Sequence, residues 1–303
     1  METSISSLGR LSSQKWIEVE SEFKVQPAHL YVVATPIGNL GDLSPRARGV
    51  LAQVDVVAAE DTRTSGVLMQ TFGIGTRLVA VHEHNEDRMA AELIAELQSG
   101  RSIALISDAG TPLVSDPGFA LVRAARAAGI PVVAIPGPCA AIAALSISGL
   151  PTDSFVFIGF LPAKSLARRA RLQELASETR TLVLYEASHR IGECIDDVVA
   201  VFGGHRRICL AREITKRFEE SITATAQEVR GWLQQDVNRE RGEFVLVLEG
   251  AAAAPGDPAE AQRVLELLLA ELPTARAAKV AAQITGAPRN ALYDLALKLS
   301  QKT

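Results

Sequence analysis

The residues with chemical capacity stand in short polar clusters, each directly after an apolar run of strand length. Ser107-Asp108-Ala109-Gly110-Thr111-Pro112-Leu113-Val114-Ser115-Asp116-Pro117-Gly118 follows Ile103-Ala104-Leu105-Ile106 and leads into the amphipathic pattern of residues 119–125. Residues 35–42 follow the run 30–34, Glu60-Asp61-Thr62-Arg63-Thr64 follows 54–59, and His82-Glu83-His84-Asn85-Glu86 follows 78–81. Turns at the carboxyl ends of parallel strands present free N–H groups and helix N-termini, and there open α/β sheets bind their ligands. Carboxylates and imidazoles in that setting can move protons or hold cationic groups, chemistry an ordinary solvent-facing turn does not need. Within residues 107–118, Ala109, Gly110 and Gly118 permit close backbone approach, while Pro112 and Pro117 stiffen the loop. A plain helix start, with Asp116 as N-cap and Pro117 at the first helical position, accounts for Asp116 but leaves Asp108, Gly110 and Thr111 unexplained. The loop 35–42 is glycine-rich but lacks the G-x-G-x-x-G spacing of dinucleotide-binding turns. His82 and His84 share one strand face; with no Cys or third His beside them they are expected to hydrogen-bond, and no metal is expected.

Alternating strand and helix patterns must position these clusters. Strands are expected at 30–34, 54–59, 78–81, 103–107 and 132–135, with helices at about 44–52, 63–72, 86–99 and 117–128. That alternation makes right-handed βαβ units and a mostly parallel, doubly covered sheet, an α/β domain over residues 28–149. Asp61 then has a second reading of equal standing, as N-cap of the 63–72 helix. Pro136-Gly137-Pro138 ends the fifth strand, a small-residue helix spans 139–148, and Gly149-Leu150-Pro151 forms a hinge. The next stretch, 150–250, reads as strands at 155–160, 181–185, 208–211, 221–225 and 244–248, with helices at 163–178, 190–202 and 227–235. Consecutive strands without a helix between them imply antiparallel pairs, so this second α/β domain has a mixed sheet. Residues 251–303 hold a linker and a helix-turn-helix-like pair, 276–284 and 288–299, about the turn Thr285-Gly286-Ala287.

Composition excludes several classes. The 303 residues are 48% hydrophobic and 22% charged, an ordinary globular balance with enough apolar material for two cores. A net charge of −4 argues against indiscriminate polyanion binding and leaves room for a local basic face. Cys139, Cys194 and Cys209 lie far apart without paired spacing, which suggests neither disulfides nor zinc and points to a reducing, cytoplasmic setting. Residues 1–27 are polar, carry no signal or membrane segment, and are expected to be a flexible tail.

The runs ATPIGNLGDLSPRA, AAEDTRT, HEHNE, SDAGTPLVSDPG, IPGPCA, GFLPAK and YEASHR, in this order and spacing, resemble the tetrapyrrole methylase-like (class III) S-adenosylmethionine-dependent methyltransferases. Within that family they are most similar to the branch that methylates the ribose 2′-hydroxyl of a cytidine in small-subunit (16S) ribosomal RNA. Tetrapyrrole-modifying relatives have a first loop richer in glycine and a fourth strand ending in Gly-Asp-Pro, whereas this chain reads TPIGNL and SDAGTP. The resemblance implies two α/β domains with a cofactor cleft between them, a homodimer, and a ribosomal RNA or ribosomal-subunit partner. It implies an S-adenosylmethionine site along Pro36, Gly38, Asp108, Gly110, Thr111, Ser115, Pro136 and Gly137. Such a cofactor, with a sulfonium, an α-amino group and an adenine, needs acceptors and close backbone approach more than a phosphate cradle.

Ribose methylation requires one proton to be removed, and Glu60, Asp61, Glu83, His84 and Glu186 stand at strand ends as candidate bases. Glu60 and Asp61 rank first, their loop belonging to the same edge as residues 35–42. Lys164 and Arg168, with Arg169 and Arg171, read either as a solvated helix face or as an RNA contact, and the adjoining Gly159-Phe160-Leu161-Pro162 favours RNA. Glu186, His189 and Arg190 read as substrate contacts, or as a helix start with Ser188 as N-cap. Lys279, Arg289 and Lys298 on the C-terminal helices could add an RNA contact or serve only packing. Two alternatives stay open: methylation of a small tetrapyrrole by the same fold, and a non-catalytic nucleotide- or RNA-binding protein.

Overall fold

Four-residue apolar runs make the first sheet, as they must when helices cover both faces of parallel strands. The computed structural model describes residues 23–82, 84–252 and 258–300. β1 (Leu30–Val33), β2 (Val56–Ala59), β3 (Arg77–Ala80), β4 (Ile103–Ile106) and β5 (Val132–Ile135) lie in the order β3-β2-β4-β1-β5, every pair parallel. Successive side chains alternate between two cores. Tyr31, Val33, Val57, Ala59, Ala104 and Ile106 pack with α1 (Pro45–Gln53) and α2 (Thr62–Thr71); Leu30, Val56, Ala58, Ile103 and Leu105 pack with α3 (Glu86–Gln98) and α4 (Phe119–Ala127). β4 and β1 are neighbours at the point where the strand order reverses, so the loops that follow them flank the natural crevice of such a sheet.

The second sheet, built from β6 (Phe155–Phe160), β7 (Thr181–Ala187), β8 (Arg207–Arg212), β9 (Glu220–Thr225) and β10 (Glu243–Leu248), runs β6-β7-β10-β8-β9. Only β6 and β7 are parallel, which gives the mixed sheet expected from strands without intervening helices. One face packs Leu182, Leu184, Ile208, Leu210, Leu246 and Leu248 against α6 (Ser165–Glu174), α7 (Ile191–Phe202) and α8 (Ala226–Gln234). α5 (Ala140–Ile147) contains the boundary between two compact units: residues up to Ala143 with Glu213–Glu219, and Ala144–Arg212 with the residues from Glu220 onward. The last helices, α9 (Pro258–Leu269), α10 (Thr274–Thr285) and α11 (Arg289–Ser300), share an apolar core of their own around Leu265, Ala278, Ala281 and Leu292. No helix among the described residues is long and apolar enough to cross a membrane.

Three expectations need correction. Of the tail 1–27, residues 1–22 lie outside the described residues, but the remainder is tied down. Phe23 stacks under the Arg46 guanidinium at 4.5 Å, and the Gln26 N–H donates to the Tyr31 hydroxyl at 2.8 Å. The charged helix expected at 163–178 is shorter, and its Arg168 belongs to the core: the side chain is 0% exposed and its Nε donates to Asp197 at 2.6 Å. Asp197 also accepts from Ser165 and Arg169, and although burial alone would raise its pKa, these donors hold it below the ordinary carboxylate value. Ser188 opens a 3-10 turn, and Arg190 takes the N-cap position of α7 without a side-chain cap.

An ion pair this enclosed is destabilising when halved, because the remaining buried charge loses its main partner. Asp197→Ala is expected to cost about 3 kcal/mol of stability in urea unfolding, because it leaves the buried Arg168 only Glu193 at 3.4 Å, and more than Arg168→Met, which leaves Asp197 its bonds from Ser165 and Arg169. Equal losses in the two variants would contradict a charge-burial origin.

Candidate active site

The loops leaving β1, β4 and β5 are laced to one another by backbone. Thr35 and Gly110 form an antiparallel bridge, Thr35 N–H to Gly110 O at 2.9 Å and Gly110 N–H to Thr35 O at 3.1 Å. The buried Thr35 hydroxyl donates to Ser107 O at 3.3 Å, and the Thr111 hydroxyl donates to Pro138 O at 3.0 Å. Gly110 takes φ +83°, and a Cβ there would press on Ile37 at 3.3 Å; a Cβ on Gly137 would meet Ala34 at 3.0 Å. Glycine at these positions lets three strand ends approach closely, the requirement that the sequence suggested. Leu113 and Ser115 are left-handed as well, at φ +72° and +68°, a cost that side-chain-bearing residues rarely carry outside functional loops.

A carboxylate cluster lies at the ends of β2 and β4. The Asp108 N–H donates to Glu60 Oε2 at 3.3 Å, and the Asp61 N–H donates to Asp108 Oδ1 at 3.1 Å. Burial raises the pKa of Glu60 and of Asp108, and each carboxylate also feels its acidic neighbours. Burial pushes Asp116 up to about 6, with Glu60 and Asp108 adding to the shift against a hydrogen bond from Ser107. Asp61 behaves in the opposite way. It is the N-cap of α2, accepts from Arg63 N at 2.8 Å and pairs with the Arg63 guanidinium at 2.6 Å, which brings its pKa down to about 2. Its capping reading is the one observed.

Asp116 is not the N-cap of α4, and Pro117 is not its first residue. Gly118 occupies the cap at φ +123°, and the Glu86 carboxylate on α3 accepts from Gly118 N at 3.0 Å and from Ala120 N at 2.6 Å. Glu86 thereby anchors the far end of the 107–118 loop. The sequence offers no sign of this, since an acidic residue in a first helical turn is ordinary.

Residues 29–230 match the family model described as "Tetrapyrrole (Corrin/Porphyrin) Methylases", and residues 255–300 match the one described as "RsmI C-terminal HTH domain". The chain is 56% identical over 277 residues to a protein of Pseudomonas aeruginosa named ribosomal RNA small subunit methyltransferase I, covering 90% of this chain and 98% of that one. It is 54% identical over 270 residues to the Escherichia coli protein of the same name, covering 89% and 94%. This chain belongs to the tetrapyrrole methylase family. A solved member, uroporphyrin-III-C-methyltransferase from Thermus thermophilus, superposes with a TM-score of 0.52 at 25% identity over 73% of this chain and 94% of the other.

In this methylase, Pro36, Gly38, Asp108, Gly110, Thr111, Ser115, Pro136 and Gly137 all fall in the three laced loops after β1, β4 and β5. Of the other candidate bases, Glu83 lies outside the described residues, and His84 is exposed, its ring 6.0 Å from that of His82. Glu186 sits within β7 rather than after it, with a 1% exposed side chain. Through Oε1 it pairs with Arg190 at 2.7 Å and accepts from Ala187 N at 2.8 Å, while its Oε2 and the Arg190 Nε are buried without a hydrogen-bond partner. Lys164 is exposed, and His189 lines a cavity of about 540 Å³ in the second unit beside Glu193, Asp196 and Arg230. Sequence reasoning missed Glu86 and the place of Asp116 among the carboxylates, both consequences of tertiary contact.

Asp116 has a stability consequence. Its native pKa of about 6 lies above the ordinary 3.8, so its contribution is fully present below pH 3.8 and is lost as pH rises through 6. Asp116→Asn is therefore expected to be more stable than the parent by about 1–2 kcal/mol at pH 8, discounted for partial solvent screening, and no more stable at acid pH. Urea unfolding of both proteins at the two pH values measures this, and a pH-independent difference would contradict it.

Proposed function

We propose that this methylase transfers the sulfonium methyl of S-adenosylmethionine to the ribose 2′-hydroxyl of a cytidine in small-subunit ribosomal RNA. The observation that carries the reading is the meeting of close-packed backbone and clustered carboxylates at the reversal point of the first sheet. Residues and cofactor fit each other there. Asp108 offers an acceptor for an ammonium group, and the glycine-bearing turns offer N–H groups and close approach for the rest. The cofactor supplies, when bound, an electrophilic methyl already activated by the positive sulfur. What remains for the protein is alignment, exclusion of water and removal of one proton. Glu60 suits the last task better than Asp61, because burial makes it a stronger base while the Arg63 pair makes Asp61 a weak one.

The substrate reading rests on the two relatives named above, matched over 94% and 98% of their length, and on the C-terminal family match of residues 255–300. On this reading the enzyme works on ribosomal RNA or the ribosomal subunit in the cytoplasm, as a homodimer, with α10 and α11 adding an RNA contact through Lys279, Arg289 and Lys298. A small tetrapyrrole would have no use for that segment.

Asp108→Ala is expected to weaken S-adenosylmethionine binding by about 1–3 kcal/mol in calorimetry, the worth of a charged hydrogen bond. Glu60→Gln should lower kcat by roughly 10²-fold or more with cofactor affinity nearly intact. Small-subunit RNA carrying a 2′-deoxy target cytidine should accept no methyl group; normal methylation of it would refute ribose chemistry whatever the variants do. Removing residues 256–303 should raise KM for RNA and spare cofactor affinity, and unchanged RNA affinity in the folded truncation would assign those helices to packing.

A further inference from the structure

Residues Glu213–Glu219, the connection between β8 and β9, count with the first unit although both flanking strands count with the second. The connection is costly in its own backbone. Glu213 and Thr215 are left-handed, at φ +51° and +69°, without being glycine, and Thr215 is β-branched, the class least suited to that region. The Thr215 hydroxyl oxygen is buried without a hydrogen-bond partner. Internal bonds hold the shape: Lys216 N–H to Glu213 O at 2.9 Å, Glu219 N–H to Lys216 O at 3.1 Å, and Thr215 N–H to the Glu219 carboxylate at 2.7 Å. The shape brings Lys216 onto the loop after β1. Gly38 there takes φ +146°, and a Cβ built on it would overlap Lys216 Cγ and stand 2.8 Å from its Cε. The ammonium end is fixed as well, donating to Glu213 Oε1 at 3.0 Å.

We propose that residues 213–219 are a strap across the loop 35–42, and that Lys216 is a positioning residue whose aliphatic stem, lying where a side chain of residue 38 would be, holds that loop in the form that receives the cofactor. The role lies in the aliphatic stem rather than in the ammonium, which bonds Glu213. Strain at Glu213 and Thr215 is what places the stem, in keeping with the pattern that costly backbone persists where surrounding structure uses it. The cofactor part rests on the function proposed above, whereas the strap itself does not.

Two measurements separate them. In cofactor-free full-length protein, Lys216→Ala should speed amide hydrogen exchange at residues 37–41 at least tenfold while leaving Tm and exchange in β7 and β10 unchanged. Lys216→Met, which keeps the stem and loses the charge, should restore most of the protection. With S-adenosylmethionine and RNA, Lys216→Ala should raise KM for the cofactor about tenfold with kcat within twofold, and Lys216→Met should recover at least half of that loss. Unchanged exchange at 37–41 in Lys216→Ala overturns the strap. Faster exchange with an unchanged cofactor KM, or a parent protein that binds no S-adenosylmethionine, overturns the positioning role and leaves the strap standing. Lys216→Met behaving as Lys216→Ala would overturn the assignment to the stem.

Discussion

Two backbone hydrogen bonds between Thr35 and Gly110 hold the candidate site together. They join loops that leave neighbouring parallel strands, and a parallel pair gives such loops no reason to turn back toward each other. The turn is made by Gly110 at φ +83°, in contact range of Ile37, and is sealed by the buried Thr35 hydroxyl bonded to Ser107 O. A side chain at position 110 would strain the backbone and displace Ile37, and with it the loop that carries Gly38. The Thr111 to Pro138 bond and the Glu86 anchor at Gly118 and Ala120 extend the same lacing to β5 and α3.

Onto this frame the chain places more negative charge than it neutralises. Glu60, Asp108 and Asp116 are pushed toward protonation by burial and by neighbouring carboxylates, Asp61 among them; their compensation comes mainly from N–H and hydroxyl donors, with Arg63 adding a cation's pull at Asp108 alone. The one arginine of that turn, Arg63, is committed to Asp61 on the exposed side. A partly desolvated cluster of this kind gains from a bound cation, which would relieve the mutual repulsion and lower all three pKa values. A ligand bearing a sulfonium and an ammonium has the matching charge, and this electrostatic fit is independent of any likeness to known proteins.

Much of this was legible in the sequence, for identifiable physical reasons. Strands such as Ile103–Ile106 and Val56–Ala59 are buried on both faces, so they appear as unbroken apolar runs whose ends can be read to within a residue or two. Loops that must approach one another reveal themselves through glycine and proline, as at Gly110 and Gly137. Roles decided by a distant partner left no mark. Arg168 looks like its neighbours Arg169 and Arg171 until Asp197, on another helix, draws it into the core. Asp116 satisfied the local rule for an N-cap, yet Glu86 on α3 took the cap and left Asp116 among the carboxylates. Asp61 satisfied the same rule and obeyed it, because its own helix supplied both the N–H and the arginine. The local rule was equally strong in both places, and it gave way only where a carboxylate from another helix reached the first N–H groups.

The same comparison bears on why the site is rigid. Displacement at a methyl carbon needs nucleophile, carbon and leaving group in line, and small misplacements at the reacting centre are expensive in rate. A loop joined to the sheet only through its flanking strand and helix would fluctuate on the scale of that tolerance. Here left-handed Leu113 and Ser115 are retained despite their cost, the Glu86 carboxylate fixes one end of the loop, and backbone bonds to Thr35 fix the other. The energy spent on unfavourable backbone in residues 107–118 therefore goes into orientation. On the proposed reading, the acidic groups of the site are held by structure that the chemistry never touches.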